Sequence, residues 1–412
     1  VIKSGYSPAG MAARKPELMA PAGDWPSLRA AVQAGADAVY LGVRTLNMRA
    51  TARNFEVGEL PKVVSFCHEH DVHVYLTINT IIYETEIAAM ESLLDDAKEA
   101  DVDAIICWDA AVIEAARNRQ IPVFLSTQAS VSNSRAAAWY ASRGVSRIVL
   151  ARECTLEHLK SIRTRVDIGI EVFIHGAMCV SESGRCFMSQ FLYGRSANRG
   201  DCLQPCRRAY RIIDPEEGHE LDIENCYVMS PKDLCALPLL DKLLGIGVDS
   251  LKIEGRGRSP EYVKTVTKVY REAIDRYHEG TLDESMKKHL QERLSDVFNR
   301  GFSSGFLMGV PNDAWCDTYG SQAKTRKRFV GYVGNVYKKA SAAEIRLEAG
   351  GMRQGDHVMV QGKTTGVHEQ VAESLQVEHE PVREAAKGSR VGLRINGDIR
   401  PNDKVFVIEK IL

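Results

Sequence analysis

No stretch of this 412-residue chain approaches the roughly 18 consecutive apolar residues of a membrane span, so no membrane partner is expected. The opening residues, VIKSGYSPAGMAARKPELMAPAGD, lack the continuous apolar core of a secretory signal, and the expected location is the cytoplasm. Net charge is nearly absent: 53 basic against 54 acidic residues leave −1. That balance excludes a chain that coats nucleic acid through bulk positive charge and confines any such contact to a local patch. The HExxH helix of zinc metalloproteases is missing. A GxSxG match does occur at 301–305, but the helical run MKKHLQERLSDVFN precedes it. A nucleophile elbow needs strand, turn and helix in that order, so the match is read as chance.

Cysteine, by contrast, is plentiful. Ten of them in a reducing compartment are better explained by metal, catalysis or burial than by disulfides. Cys67, Cys107 and Cys154 lie in apolar helical or strand contexts and read as small buried hydrophobes. Cys179, Cys186, Cys202 and Cys206 are different, crowding into one polar, glycine-containing segment. Structural zinc draws its cysteines from knuckles spaced two to four apart, which only the last pair matches. An iron–sulfur cluster tolerates looser spacing, because its ligands attach to separate irons. A third arrangement is a cysteine-protease pair of Cys179 with His175, the histidine four positions earlier.

Short β-branched and aliphatic runs recur at 17–21, 38–42, 73–79, 104–108, 122–127, 147–151 and 168–176, with amphipathic helical patterns between them. Further strands are expected at YVMS (227–230) and SLKIEGR (250–256), followed by a helix from about Glu261 to Tyr277. Eight or nine parallel-type strands favour a (β/α)8 TIM-like barrel with a cysteine-rich insertion over an open doubly wound sheet. Beyond the basic stretch AKTRKRF, short strands separated by Gly, Asn, Asp and Pro imply a small C-terminal all-β barrel. The expected organisation is a barrel domain over 15–280 with the cysteine segment at 176–210. A helical connector and basic linker follow over 281–328, and the second barrel over 329–412.

In such a barrel the working residues sit at the C-terminal ends of the strands. That rule selects Asn79, Gln128, Arg152, Glu171, His175, Lys252, Glu254 and Arg256. Alternation places Lys252, Glu254 and Arg256 on one face of their strand, and charges directed into a barrel need partners or a ligand. The functional reading is a site for an anionic substrate, with Arg256 gripping a carboxylate or phosphate and Lys252 adding charge. The alternative is an internal salt-bridge network. His175 is read either as a tuner or proton shuttle beside the cysteines, or as a structural histidine. For RNA, Arg195 and Arg199, together with Arg185, interleave with Phe187, Phe191 and Tyr193, a mixture suited to phosphates and stacked bases. Lys324, Arg326, Lys327 and Arg328 form a second basic stretch where the C-terminal domain begins.

EVFIHGAMCVSESGRC, with GADAVYLG, NFEVGEL, RIVLARE, GDCLQPCRRAY, SPKDLC and SLKIEGRGRSPEYV, resembles the landmarks of peptidase family U32, named after collagenase-like peptidases. The likeness runs along most of residues 17–310. It implies a barrel holding an oxygen-sensitive [4Fe-4S] cluster, with Cys179, Cys186, Cys202 and Cys206 as ligands and Cys226 or Cys235 as alternates for the fourth. It also implies hydroxylation chemistry: of a wobble uridine in tRNA to 5-hydroxyuridine with prephenate as co-substrate, of a cytidine in ribosomal RNA, or of a ubiquinone precursor. The expected function is therefore an iron–sulfur tRNA uridine hydroxylase. Its expected partners are tRNA, a small carboxylate metabolite and the iron–sulfur assembly machinery. A collagenase-like peptidase and a non-catalytic RNA-binding or iron–sulfur protein are the alternatives.

Overall fold

The first βα unit sets the pattern for the chain. Strand β1 (Glu17–Pro21) is buried along nearly its whole length. Asp24 then caps α1 (Trp25–Gln33), its carboxylate accepting the Ser27 N–H, while Pro26 occupies a first-turn position where no amide is needed. Gly35, at φ +84°, stops the helix, and the fully buried β2 (Ala38–Leu41) starts three residues on. The unit repeats through α2 (Leu60–His68), β3 (His73–Thr77), α3 (Ile87–Glu99), β4 (Ala104–Cys107), α4 (Ala110–Asn118) and β5 (Val123–Leu125). It continues through α5 (Ser134–Ala141), β6 (Val145–Val149), α6 (Leu156–Arg163) and β7 (Gly169–Gly176). Polar caps open most of these helices: Asp109 for α4, Asn133 for α5 and Thr155 for α6. This computed structural model describes residues 15–211, 213–220, 227–311 and 314–411.

After Gly176 the chain leaves the barrel for the cysteine segment, which contains α7 (Met188–Tyr193). It returns in β8 (Asp233–Cys235), antiparallel to the end of β7, and proceeds through α8 (Leu240–Ile246) to β9 (Ser250–Ile253). Strand β9 pairs in parallel with both β7 and β1. With β1 to β7 it closes an eight-stranded parallel barrel, so the open doubly wound sheet is excluded. The strand expected at 227–230 is instead a turn closed by the Ser230 N–H on the Tyr227 carbonyl at 2.9 Å. Pro231 follows at once, and the apolar run that forms a strand is Asp233–Cys235. Sequence pattern alone does not separate two apolar runs this short and this close.

Helix α9 (Pro260–His278) packs on α1 and β1, α10 (Glu284–Leu294) packs on α9, and the two-residue β10 (Phe302–Ser303) adds to β8. Beyond them lies an antiparallel domain: β11 (Thr325–Tyr337), β12 (Ala342–Leu347), β13 (Met352–Arg353), β14 (His357–Gly362), β15 (Gly366–Val371), β16 (Leu375–Val377), β17 (Glu380–Val382), β18 (Glu384–Ala385), β19 (Arg390–Arg394) and β20 (Lys404–Lys410). Eight of these strands run in the order β15-β14-β20-β11-β12-β19-β16-β17 around one apolar core that includes Val330, Ile345, Val360, Leu393 and Val405. The basic stretch expected as a linker lies on β11 itself. The two domains meet where Ala30 of α1 packs on Met359, Val367 and Phe406, and where Lys327 pairs with Glu261 at 2.8 Å. Among the described residues no helix is long and apolar enough to cross a membrane.

Candidate functional site

Alternation along β9 sends Lys252 into the barrel, where its ammonium meets Glu171 of β7 at 2.9 Å. Both groups are buried, and below them Arg147 joins Glu171 (3.4 Å) to Glu17 (2.6 Å). Here the internal salt-bridge reading holds: each of these charges has a partner. Matters differ one step higher. Glu254 accepts Arg49 at 2.7 Å and stands 3.9 Å from Arg152. Arg256, 4% exposed, donates to the Thr77 hydroxyl (2.8 Å) and the Asn47 side-chain carbonyl (3.0 Å) and has no carboxylate within ion-pair distance among the described residues. Its room comes from Gly42 at the end of β2, where any Cβ would overlap the guanidinium.

Arg49, Thr77, Arg152, Lys252, Glu254 and Arg256 line a cavity of about 170 Å³ at the C-terminal mouth of the barrel. Cys179, Cys186, Cys202 and Cys206 line the same cavity. Four guanidiniums (Arg49, Arg152, Arg207 and Arg256) line the cavity with the single carboxylate of Glu254, since Lys252 is matched by Glu171. The cavity therefore carries surplus positive charge in a poorly solvated setting. Burial pushes the Glu254 carboxyl up, but Arg49, Arg152 and Arg256 outweigh it and hold it at about 2, ionised at neutral pH. Burial and the neighbouring Arg49 bring Arg256 down to about 10, still protonated at neutral pH. Such a charge invites an anion, because a buried cation without a counter-ion is costly.

Of the four thiols, two lie beside backbone donors and three are partly buried. Backbone N–H groups of Met188 and Gln204 approach the sulfurs of Cys186 and Cys202, each at 3.4 Å. Burial raises Cys202, and raises Cys206 to about 11 despite Arg207 beside it. Among the described residues no three His, Cys, Asp or Glu side chains converge closely enough to hold a single ion. Thiols are the ligand type that zinc and iron–sulfur centres both take, and four of them line one cavity.

Not every expected residue belongs to this site. His175 is buried outside the cavity, in a box of Tyr262, Tyr270 and Phe302, with its Nδ1 3.4 Å from the Tyr270 hydroxyl. Burial, with Arg258 adding, lowers it to about 3, so it is a neutral structural histidine at physiological pH and neither shuttles protons nor pairs with Cys179. A bulge between Phe173 and His175 shifts the end of β7 out of the alternation that the sequence implied. Cys235 is likewise buried away from the cavity, 3.8 Å from the Tyr270 hydroxyl, while Cys226 lies outside the described residues. Glu171 supports Lys252 without lining the cavity.

The expected RNA cations are mostly spoken for. Arg195 is bound to Asp201 and Arg199 to Glu86, Arg326 and Arg328 share Glu409, and Lys327 is tied to Glu261. Lys324 stands exposed. Conversely, Arg49 and Asn47 were not singled out by sequence. They sit in the connection after β2, and only barrel closure carries that connection over β9.

The comparisons with known proteins agree with this architecture. The family model described as Peptidase family U32 matches residues 23–317. A collagenase of Porphyromonas gingivalis is 41% identical over 406 residues, covering 96% of this chain and 98% of its own. An uncharacterized protease of Methanocaldococcus jannaschii is also 41% identical, over 96% of this chain and 99% of its own. A protein of Bacillus subtilis named for tRNA hydroxylation is 36% identical over 84% of this chain and 83% of its own. With a family match across most of its barrel and relatives aligned over nearly its whole length, the chain belongs to peptidase family U32.

Proposed function

We propose that this chain is an RNA-modifying enzyme that hydroxylates a nucleobase, in its most specific form the wobble uridine of tRNA to 5-hydroxyuridine, with a prephenate-like carboxylate as co-substrate. One observation carries the reading: four thiols and a surplus of buried guanidinium charge line the same cavity at the catalytic end of a barrel. Cys179, Cys186, Cys202 and Cys206 would hold a [4Fe-4S] cluster, and the tRNA hydroxylation name of the relative from Bacillus subtilis favours RNA as substrate. When bound, such a cluster supplies electron-transfer or Lewis-acid chemistry at iron. Arg49 and Arg152 offset the negative charge that four thiolates bring. Arg256, held by Thr77 and Asn47, receives the carboxylate of the small substrate in a fixed orientation. Glu254 stays ionised and serves as the anchor for Arg49 and Arg152, not as a general acid.

The collagenase name of one relative favours proteolysis as a second reading. The cavity does not supply its chemistry, because His175 is turned away from Cys179. Mass spectrometry of tRNA nucleosides from a strain lacking the gene, complemented by wild type or by Cys202→Ala, tests the first reading. Loss of 5-hydroxyuridine and its derivatives, restored by wild type alone, is the expected result. Unchanged nucleosides in the deletion strain would overturn it. Anaerobic purification adds a second check, with about four irons and four sulfides per chain expected, lost in Cys202→Ala and Cys206→Ala.

A further inference from the structure

Among the described residues, one side of the cysteine segment has no partner. Helix α7 turns Ser189 inward, where its hydroxyl accepts the Leu203 N–H at 3.0 Å, and Met188 and Ser189 line the cavity. The outer side carries Phe187, Phe191 and Leu192, exposed by 61%, 83% and 55%. The two phenyl rings stand 5.9 Å apart, inclined at 40°. Apolar side chains gathered on a cavity rim mark a surface that a partner covers.

The charges around this rim indicate which partner. The Arg208 guanidinium lies exposed, 5.4 Å from the Tyr193 ring centre, with no ion pair among the described residues. Arg185 lies 5.1 Å from the Trp108 ring and has only a loose 3.7 Å pairing with Glu182. A neutral protein surface would cover the phenyl rings but leave Arg208 and Arg185 unanswered. A single-stranded nucleic acid answers both, presenting bases to the aromatic faces and phosphates to the arginines.

Chemistry on a base edge adds a physical requirement. The target base has to leave its stack, and the neighbouring base then loses a stacking partner. We infer that Phe187 and Phe191 form a stacking platform that takes up this neighbour, so that RNA reaches the cavity with one base splayed out beside α7. The inference rests on the RNA reading above and deepens it by naming the surface that presents the substrate.

The test uses the full chain with its metal centre loaded and, as probe, an unmodified tRNA transcript with uridine at the wobble position, read by fluorescence anisotropy. Phe187→Ala combined with Phe191→Ala is expected to weaken binding roughly tenfold or more, with the slope of log affinity against log salt unchanged because phosphate contacts remain. Phe191→Trp should retain wild-type affinity, whereas Phe191→Leu should not, since leucine keeps the apolar area and loses the π-face. Unchanged affinity in the double variant, or leucine serving as well as tryptophan, would overturn the platform. So would an aromatic-dependent dimer of the free protein, because a second copy would then be the cover. If wild type itself fails to bind the transcript, the RNA reading falls with it. If wild type binds and the double variant equals it, only the platform falls.

Discussion

The two domains of this chain have opposite interiors. The C-terminal sheet encloses an almost purely apolar core of Val, Ile, Leu, Ala and Met side chains, and its buried carboxylate, Asp403, caps a turn by accepting the Arg400 N–H at 2.9 Å. The barrel buries Lys252 against Glu171, and Arg256 against neutral partners, within a few residues of one another. Since the chain builds one domain without internal ion pairs, the charge inside the other is not demanded by folding. Buried ion pairs seldom stabilise more than a well-packed apolar core of the same volume, so their presence points to work done at the mouth of the barrel.

Breaking the buried pair should produce the largest effect. Glu171→Ala leaves the Lys252 ammonium uncompensated and is expected to destabilise the barrel by about 3–5 kcal/mol in urea unfolding. Glu171→Leu combined with Lys252→Met should recover most of that loss. If the single and double variants are equally unstable, the barrel interior depends on charge in a way the C-terminal domain does not. Next in size, Leu393→Ala in the apolar core should cost about 2–5 kcal/mol in urea unfolding. Arg256→Met separates function from stability. Losing a charge-assisted contact should lower kcat/KM roughly 10- to 150-fold, with the unfolding midpoint unchanged or raised because an unpaired buried cation has gone.

A pH titration sharpens the contrast further. His175 has a folded-state value of about 3, below the ordinary value near 6.5, so below pH ~6.5 the unfolded chain takes up a proton that the folded chain refuses. Its contribution is whole above that pH and is lost as pH falls toward 3, at about 1.4 kcal/mol per unit. His175→Phe, which suits the surrounding aromatic box, should keep stability at pH 7 and remove this slope between pH 6 and 4. A slope that survives the substitution would place the sensitivity elsewhere. The smallest effect is expected at Arg326, whose exposed pairing with Glu409 is screened by solvent. Arg326→Ser should change tRNA affinity less than twofold, and a larger loss would restore the basic stretch as an RNA contact.

Much of the barrel was legible because its signals are local. Fully buried runs such as Ala38–Leu41, helix caps such as Asp24 and stops such as Gly35 each depend on a handful of neighbouring residues. The same locality made Lys252, Glu254 and Arg256 readable as one inward face. What escaped depends on closure. Arg49 meets Glu254 across the barrel mouth, 205 positions away in sequence, and no period in the chain encodes that meeting. For His175 the sequence left two readings open, and the irregularity of register between Phe173 and His175 that bears on them leaves no mark in the pattern. The pairing of Arg326 and Arg328 was out of reach because their partner, Glu409, arrives with the last strand of the chain.

All four cavity thiols lie on a single excursion that starts from the end of β7 and returns in β8, while the barrel itself is closed by β9 against β7 and β1. Closure and ligand supply are thus separate tasks carried by separate stretches of chain. The barrel's strand pairings therefore do not depend on the excursion, and the cavity lining can change along one stretch of chain while the scaffold beneath it stays the same.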